Sequence, residues 1–292
     1  MKRPVFLLAG GDLRQLYAAQ ELARNGTAYV LGFDADTAVP AGVICLEGTA
    51  PTIHADYLVL PMPCSGDSVW LTAPFSRHKI ALSGLPAMLR SGGLAFGGRM
   101  SSGVRQLFTD AGIEAIDYFA REETSVRNAI PTAEGAIQIA MEELATTIYG
   151  LRILLIGYGR IAKVLARILL AMGARVTVAA RSCADRAWAE QDGCETIHTN
   201  QLTALAASFD LIYNTAPALL LDAACLRTLQ PDTLIIDLAS KPGGVDFETA
   251  SAGGVKVVWA LSLPGKYAPI TAGQIIAGTI CNILEERRLA NA

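Results

Sequence analysis

Apolar runs of strand length alternate with stretches of helical period along the whole chain. Residues 4–9 (PVFLLA) form a compact apolar run that stops at Gly10-Gly11. "LRQLYAAQELARNG" follows with apolar positions at helical spacing and Gly26 as its stop signal, and "AYVLGFD" completes a βαβ unit. Further strands are predicted at 56–61 (DYLVLP), 79–82 (KIAL) and within "GIEAIDYF". Pro131 then opens "PTAEGAIQIAMEELATTIYG", where Ile137, Ala140, Met141, Leu144 and Ile148 recur at helical spacing. A second series of apolar runs follows: "RILLIG", "RVTVAA", "LIYNTA", "TLIIDLA" and "VKVVWA". The chain closes on "TAGQIIAGTICNILEERRLA", an amphipathic helix whose Ile275, Ile276, Ile280, Ile283 and Leu284 need an apolar surface to cover.

Alternating strands and helices predict an α/β protein of two doubly wound domains, the second a Rossmann dinucleotide-binding domain. The expected boundaries are residues 1–130 for a substrate-side domain completed by a helix at 270–292, a bridging helix at 131–149, and the Rossmann domain at 150–269. Pro264-Gly265 is expected to form the return hinge.

Composition narrows the function classes. The 292 residues include 24 basic and 27 acidic side chains, formally −3, and they are interspersed. No basic patch marks nucleic acid or an anionic membrane. No apolar stretch reaches the length of a membrane-spanning helix, and the N-terminal run is too short for a signal peptide because Asp12 and Arg14 interrupt it. Six scattered cysteines without a C-x-x-C pair argue against zinc or a disulfide framework, and favour reduced, buried thiols in a cytoplasmic protein.

The strongest chemical signal is "GYGRIA" at 157–162, directly after an apolar strand and at the head of an apolar helix. Gly157 permits the tight turn, Gly159 admits pyrophosphate to the backbone, and Ala162 keeps helix and sheet close. Arg160 and Ile161 complete the loop. About 20 residues on, a ribose-binding carboxylate is usual. This chain has Arg181 and Ser182 instead, which suit a 2′-phosphate, so NADP is expected. The first βαβ unit offers Asp34 at the equivalent offset, but Asp12 occupies the second glycine position and Gln15 the third small position. A cofactor phosphate would meet a carboxylate there, so Arg14 is assigned to a substrate carboxylate. Thr215, Ala216 and Pro217, and Leu238, Ala239 and Ser240, follow strand ends on the edge where such sheets bind ligands. No histidine suits the acid–base role of an ordinary hydroxy-acid dehydrogenase; His198 reads as adenine-side or solvated.

"GGDLRQ" (10–15), "IPTAEGAIQIA" (130–140), "GYGRIAKVLAR" (157–167), "AARS" (179–182), "DLASKPGGVDF" (237–247) and "LPGKYAPITAGQI" (263–275) resemble the A subunits of dipicolinate synthases from spore-forming bacteria. The resemblance implies a late step of dipicolinate formation in the mother cell of a sporulating bacterium. The substrate would be dihydrodipicolinate or its hydroxy-tetrahydro precursor, with a flavoprotein-like B subunit as partner. A homo-oligomer is the default assembly. Arg14 is then the first choice for a carboxylate clamp, with Arg127 and Lys241 second. Glu134, expected in the first turn of the bridging helix, is either the proton acceptor or a carboxylate facing the helix dipole. Asn128 and Thr132 are expected to hydrogen-bond in the inter-domain cleft where Glu134 is also expected to lie. Arg99 and Lys266 are charged where the family pattern suggests small or apolar residues. Three alternatives stand beside oxidoreduction on this substrate: a dehydratase, an NADP-binding organising subunit, and another NADP-dependent two-domain dehydrogenase.

Overall fold

The computed structural model describes residues 3–34 and 36–290. The chain forms two compact units, one up to Asn128 and again from Ala268, the other Ala129–Tyr267.

The first unit is built from β1 (Val5–Ala9), α1 (Leu13–Leu22), β2 (Thr27–Leu31), β3 (Val43–Leu46), β4 (Ala55–Val59), β5 (Leu89–Gly97), α2 (Ser102–Asp110) and β6 (Glu114–Asp117). Its six strands are all parallel in the order β3-β2-β1-β4-β5-β6. The central strand β1 is almost wholly buried, as expected of a sheet covered on both faces.

Helix α3 (Glu122–Glu143) carries the chain from the first unit into the second. It starts nine residues before Pro131 and runs through it, which corrects the predicted start. A mid-helix proline costs about 3 kcal/mol. Two features favour the longer helix. Glu122 and Glu123 complement the N-terminal dipole, and Ala133, Ala136, Ile137, Ile139 and Ala140 are buried in the core beyond the proline.

The second unit contains β7 (Arg152–Ile156), α4 (Arg160–Ala171), β8 (Arg175–Ala179), α5 (Cys183–Gln191), β9 (Glu195–Ile197), α6 (Leu202–Leu205), β10 (Leu211–Asn214), α7 (Ala223–Leu226), β11 (Leu234–Asp237), α8 (Phe247–Ala252), β12 (Lys256–Trp259) and α9 (Leu263–Tyr267). Its parallel sheet has the order β12-β11-β10-β7-β8-β9. Counted within each unit, both sheets therefore have the 3-2-1-4-5-6 order of a doubly wound dinucleotide fold. Pro264 and Gly265 lie inside α9 instead of forming a hinge.

Helix α10 (Pro269–Ala290) returns to the first unit. Ile276, Ala277, Ile280 and Ile283 join the core formed by Phe6, Leu8, Leu16 and Phe96. Gly273 makes the approach possible, since a Cβ there would lie 2.6 Å from the Arg14 carbonyl oxygen. Arg121–Glu286 and Arg287–Glu114 ion pairs, with closest distances of 2.6 Å each, fix the helix's far end.

Sequence reading missed β3, β5 and α2, and the predicted strand at 79–82 is only an isolated antiparallel bridge from Ala81 to Trp70. Cys64, Cys194 and Cys225 are buried, and burial raises their thiols to about 12, 11 and 11. Cys45 and Cys183 are exposed, contrary to the expectation of buried thiols. Among the described residues, no helix is long and apolar enough to cross a membrane.

Candidate dinucleotide site and its closed counterpart

In the second unit the sequence order reverses between β7 and β10, which sit side by side. The turn after β7 opens there. Gly157 has φ +89°, and a Cβ would lie 2.7 Å from Thr215 Oγ1, so two constraints call for glycine. Its N–H donates to the Ala179 carbonyl at 2.9 Å. Gly159 is the extended N-cap of α4, and no side chain caps that helix. Nothing lies within 4 Å of the point where its Cβ would stand. An uncapped helix N-terminus, with the positive end of its dipole, therefore stands beside open space at Gly159, as pyrophosphate binding requires. Ala162 is fully buried and lets α4 lie close on the sheet.

A cavity of 440 Å³ opens beside this turn, lined by Gly157, Arg181, Ser182, Asp185, Thr199 and Ala216 among others. Arg181 is exposed, and its guanidinium has no ion pair or hydrogen bond among the described residues. Ser182 caps α5 by accepting from Asp185 N–H at 3.3 Å. Arg186 was not anticipated: it donates to the carbonyls of Ala180 (2.7 Å) and Arg181 (3.0 Å), holding the β8–α5 turn in shape. His198 caps the short helical turn at 199–201, with Nδ1 accepting from Asn200 N–H.

Toward the other end of the same sheet edge, Thr215 and Ala216 follow β10, while Leu238, Ala239 and Ser240 follow β11. Thr215 Oγ1 donates to the Ile156 carbonyl at 2.9 Å. Leu238 and Ala239 are buried, so they offer mainly backbone to a ligand. Pro217 instead lines a separate cavity of 670 Å³ with Pro242, Gly243 and Phe247. Sequence reading also missed Asn214 and Asp237, both fully buried polar residues at the ends of β10 and β11. Their neighbours along the chain give no signal; only the sheet register places Asn214 beside Asp237.

The first unit's equivalent turn is closed. Gly11 N–H donates to the Thr72 carbonyl at 2.7 Å, and a Cβ on Gly11 would lie 2.9 Å from Pro61 Cβ. Asp12 caps α1 by accepting from Arg14 N–H at 3.1 Å. The same carboxylate binds the Arg14 guanidinium through Nε and Nη2, both at 2.8 Å, and Nη2 also reaches the Met62 carbonyl at 3.1 Å. Arg14 is only 8% exposed. Segment 61–82 thus stoppers the point where a second dinucleotide would lie.

Of the other residues assigned to substrate, Asn128 belongs to the first unit, and Thr132 and Glu134 to the second. Asn128 and Thr132 are one turn apart on one face of α3, whereas Glu134 lies about 200° around the helix from Thr132. Glu134 is exposed and sits well inside α3, not in its first turn, so the dipole role expected for it does not apply. Arg127 is exposed on the same helix. Arg99 has a left-handed φ of +52°, held by Asp117 Oδ1 accepting from its N–H at 3.1 Å.

Known proteins match the two units separately and the chain as a whole. Residues 5–119 match the N-terminal domain of the dipicolinate synthase A subunit, and residues 119–242 match the NAD-binding domain of D-isomer-specific 2-hydroxyacid dehydrogenases. The second unit is accordingly a nicotinamide dinucleotide-binding domain of oxidoreductase type. The dipicolinate synthase A subunit of Bacillus subtilis (strain 168) is 33% identical over 95% of this chain and 94% of its own. Its crystal structure from Bacillus subtilis superposes with a TM-score of 0.86 at 31% identity, covering 99% of this chain and 98% of that one. The corresponding crystal structure from Bacillus halodurans gives 0.87 at 29% identity, covering 97% and 98%. With likeness running the length of both units, the chain belongs to the family of dipicolinate synthase A subunits.

Proposed function

We propose that this protein is the NADP-linked component of a dipicolinate synthase in the mother-cell cytoplasm, converting dihydrodipicolinate, or its hydroxy-tetrahydro precursor after loss of water, to dipicolinate. One observation carries the choice of NADP: Arg181 is exposed in the 440 Å³ cavity, with its guanidinium unpaired, where a carboxylate would otherwise select NAD. Dipicolinate as the product is carried over from the relatives. When bound, a nicotinamide would supply the hydride acceptor for oxidation of the ring, and a protein base would take the ring proton.

In this reading Gly157, Gly159, Arg160 and Ile161 hold the pyrophosphate, Arg181 and Ser182 the 2′-phosphate, and residues 215–217 and 238–240 the nicotinamide half. Asn128 and Thr132 hydrogen-bond the substrate, and Glu134 takes the proton. Arg14 holds a carboxylate only by exchanging Asp12 for it. That existing ion pair favours a second reading, in which the chain binds NADP and organises a flavoprotein-like B subunit that carries out the redox step.

The test is NADPH formation by the purified chain with fresh dihydrodipicolinate, with and without the B subunit, and with Arg181→Asp alongside. Reduction by the chain alone, with preference moved toward NAD in the variant by about tenfold or more, supports the first reading. Tight NADP binding without reduction until the partner is added supports the second. A preference for NAD in the unaltered chain, with Asp185 serving the ribose, overturns the NADP assignment.

A further inference from the structure

Two fully buried polar side chains lie among the apolar strands of the second sheet, and every polar atom they carry is engaged. Asp237 Oδ1 accepts from Asn214 Nδ2 at 2.8 Å and from Ala239 N–H at 3.0 Å, while Oδ2 accepts from Gly244 N–H at 2.8 Å. Asn214 Nδ2 also donates to the Ala216 carbonyl at 3.0 Å, and its Oδ1 accepts from Ala216 N–H at 3.2 Å. Gly244 returns the link, because its carbonyl accepts from Leu220 and Leu221 N–H. A Cβ on Gly244 would lie 2.2 Å from Asn214 Nδ2 and 2.9 Å from the Ala216 carbonyl oxygen, so the two loops meet with no room for a side chain.

A buried carboxylate is costly to desolvate unless fully hydrogen-bonded, and an apolar pair would fill this space at lower cost. The three bonds made by Asp237 all go to one clasp between loops 215–221 and 239–244. These loops follow adjacent strands on the ligand-binding edge, beyond the pyrophosphate turn. We infer that Asp237, acting through Asn214, is a positioning residue that sets the backbone of both loops for the nicotinamide half of the cofactor; the adenosine half is held by Arg181, Ser182 and the 157–160 turn, and from the clasped loops only Ala216 and Leu220 border the 440 Å³ cavity there. The bonds of the clasp run among Asn214, Ala216, Leu220, Leu221, Asp237, Ala239 and Gly244, and none of these goes to Arg181 or Ser182.

Asp237→Asn keeps the shape but turns an amide donor toward Ala239 N–H, Gly244 N–H or the Asn214 amide, so at least one donor faces another. The experiment compares calorimetric affinities for NADP+ and 2′-phospho-ADP-ribose, which lacks nicotinamide, with amide hydrogen exchange measured alongside. The expected result is NADP+ binding about tenfold weaker, with 2′-phospho-ADP-ribose changed less than about twofold, and faster exchange confined to 215–221 and 239–244. Asn214→Ala gives the same pattern and carries the test where Asp237→Asn does not fold. Equal weakening of both ligands, no change in either, or exchange that rises across the whole unit would overturn the assignment. The inference rests on dinucleotide binding alone. NAD+ and ADP-ribose are therefore run in parallel: a preference for that pair would sink the NADP reading and leave the clasp tested on it. Binding of neither pair by the unaltered chain overturns both.

Discussion

At the first strand-to-helix turn of each sheet, a glycine amide donates to the last residue of the neighbouring strand: Gly10 to Leu31 and Gly157 to Ala179, at 2.8 and 2.9 Å. From there the turns diverge. In the second unit no side chain caps α4, and the space beside Gly159 is open. In the first, Thr72 takes the Gly11 amide, Asp12 caps α1, and the adjacent cation, Arg14, is neutralised inside the protein. Sheet order therefore supplies the crevice, while a side chain and a single covering segment decide whether a ligand can use it.

The comparison can be broken most strongly by removing Asp12. Asp12→Ala takes away the cap and leaves Arg14 buried without its carboxylate, and chemical denaturation is expected to show a loss of about 2–4 kcal/mol, since Asp12 itself is partly exposed. NADP binding should not change, because α4 is untouched. The converse graft sharpens it: Gly159→Asp gives the open turn the first unit's carboxylate. Gly159 has φ −83° and free space, so the fold should tolerate the change, whereas dinucleotide affinity should fall about 100-fold by calorimetry. If Gly159→Asp binds normally, the pyrophosphate lies elsewhere. Relieving the stopper is a weaker move. Thr72→Pro keeps the carbonyl that binds Gly11 but deletes the amide that donates to Cys64 at 2.9 Å, and should cost about 1–2 kcal/mol without creating a second dinucleotide site.

The smallest effect concerns pH. Arg287 holds the Glu114 carboxyl below its ordinary range, chiefly by hydrogen bonding. A carboxylate depressed in the folded state adds stability above its unfolded pKa, here 4.5, and loses it as pH falls below that through the folded value. The pair is exposed, so Glu114→Gln should cost no more than about 1 kcal/mol at pH 7. The difference between variant and parent melting curves should close as pH is lowered from 4.5. A difference that persists in acid would assign the effect to packing.

Elements with continuous apolar runs were legible from the amino acids: β1, β7, β8, β10 and β11 stand where the pattern put them, as does α10. Strand β5 was not, because "LRSGGLAFG" places two glycines and exposed polar residues before its buried end. Strand β3 is an edge with two exposed residues, so it lacks a buried run. Proline misled the reading of α3, where core packing outweighed a local penalty. At the candidate site, the glycine turn was readable because its constraint is local backbone geometry, and the place of Arg181 because it directly follows the apolar run of β8. The Asn214–Asp237 contact depends on strand register, and the Gly11–Thr72 contact on the path of a loop, and neither leaves a spacing signature.

The return of α10 has a consequence for how the protein is made. Val5 to Asn128 leave the ribosome before the second unit, yet their core lacks Ile276, Ala277, Ile280 and Ile283 until the whole second unit has been synthesised. The second unit is contiguous in sequence and can complete itself earlier. The half translated first is thus the half finished last, and until then its unfilled apolar face is a surface for chaperones to shield.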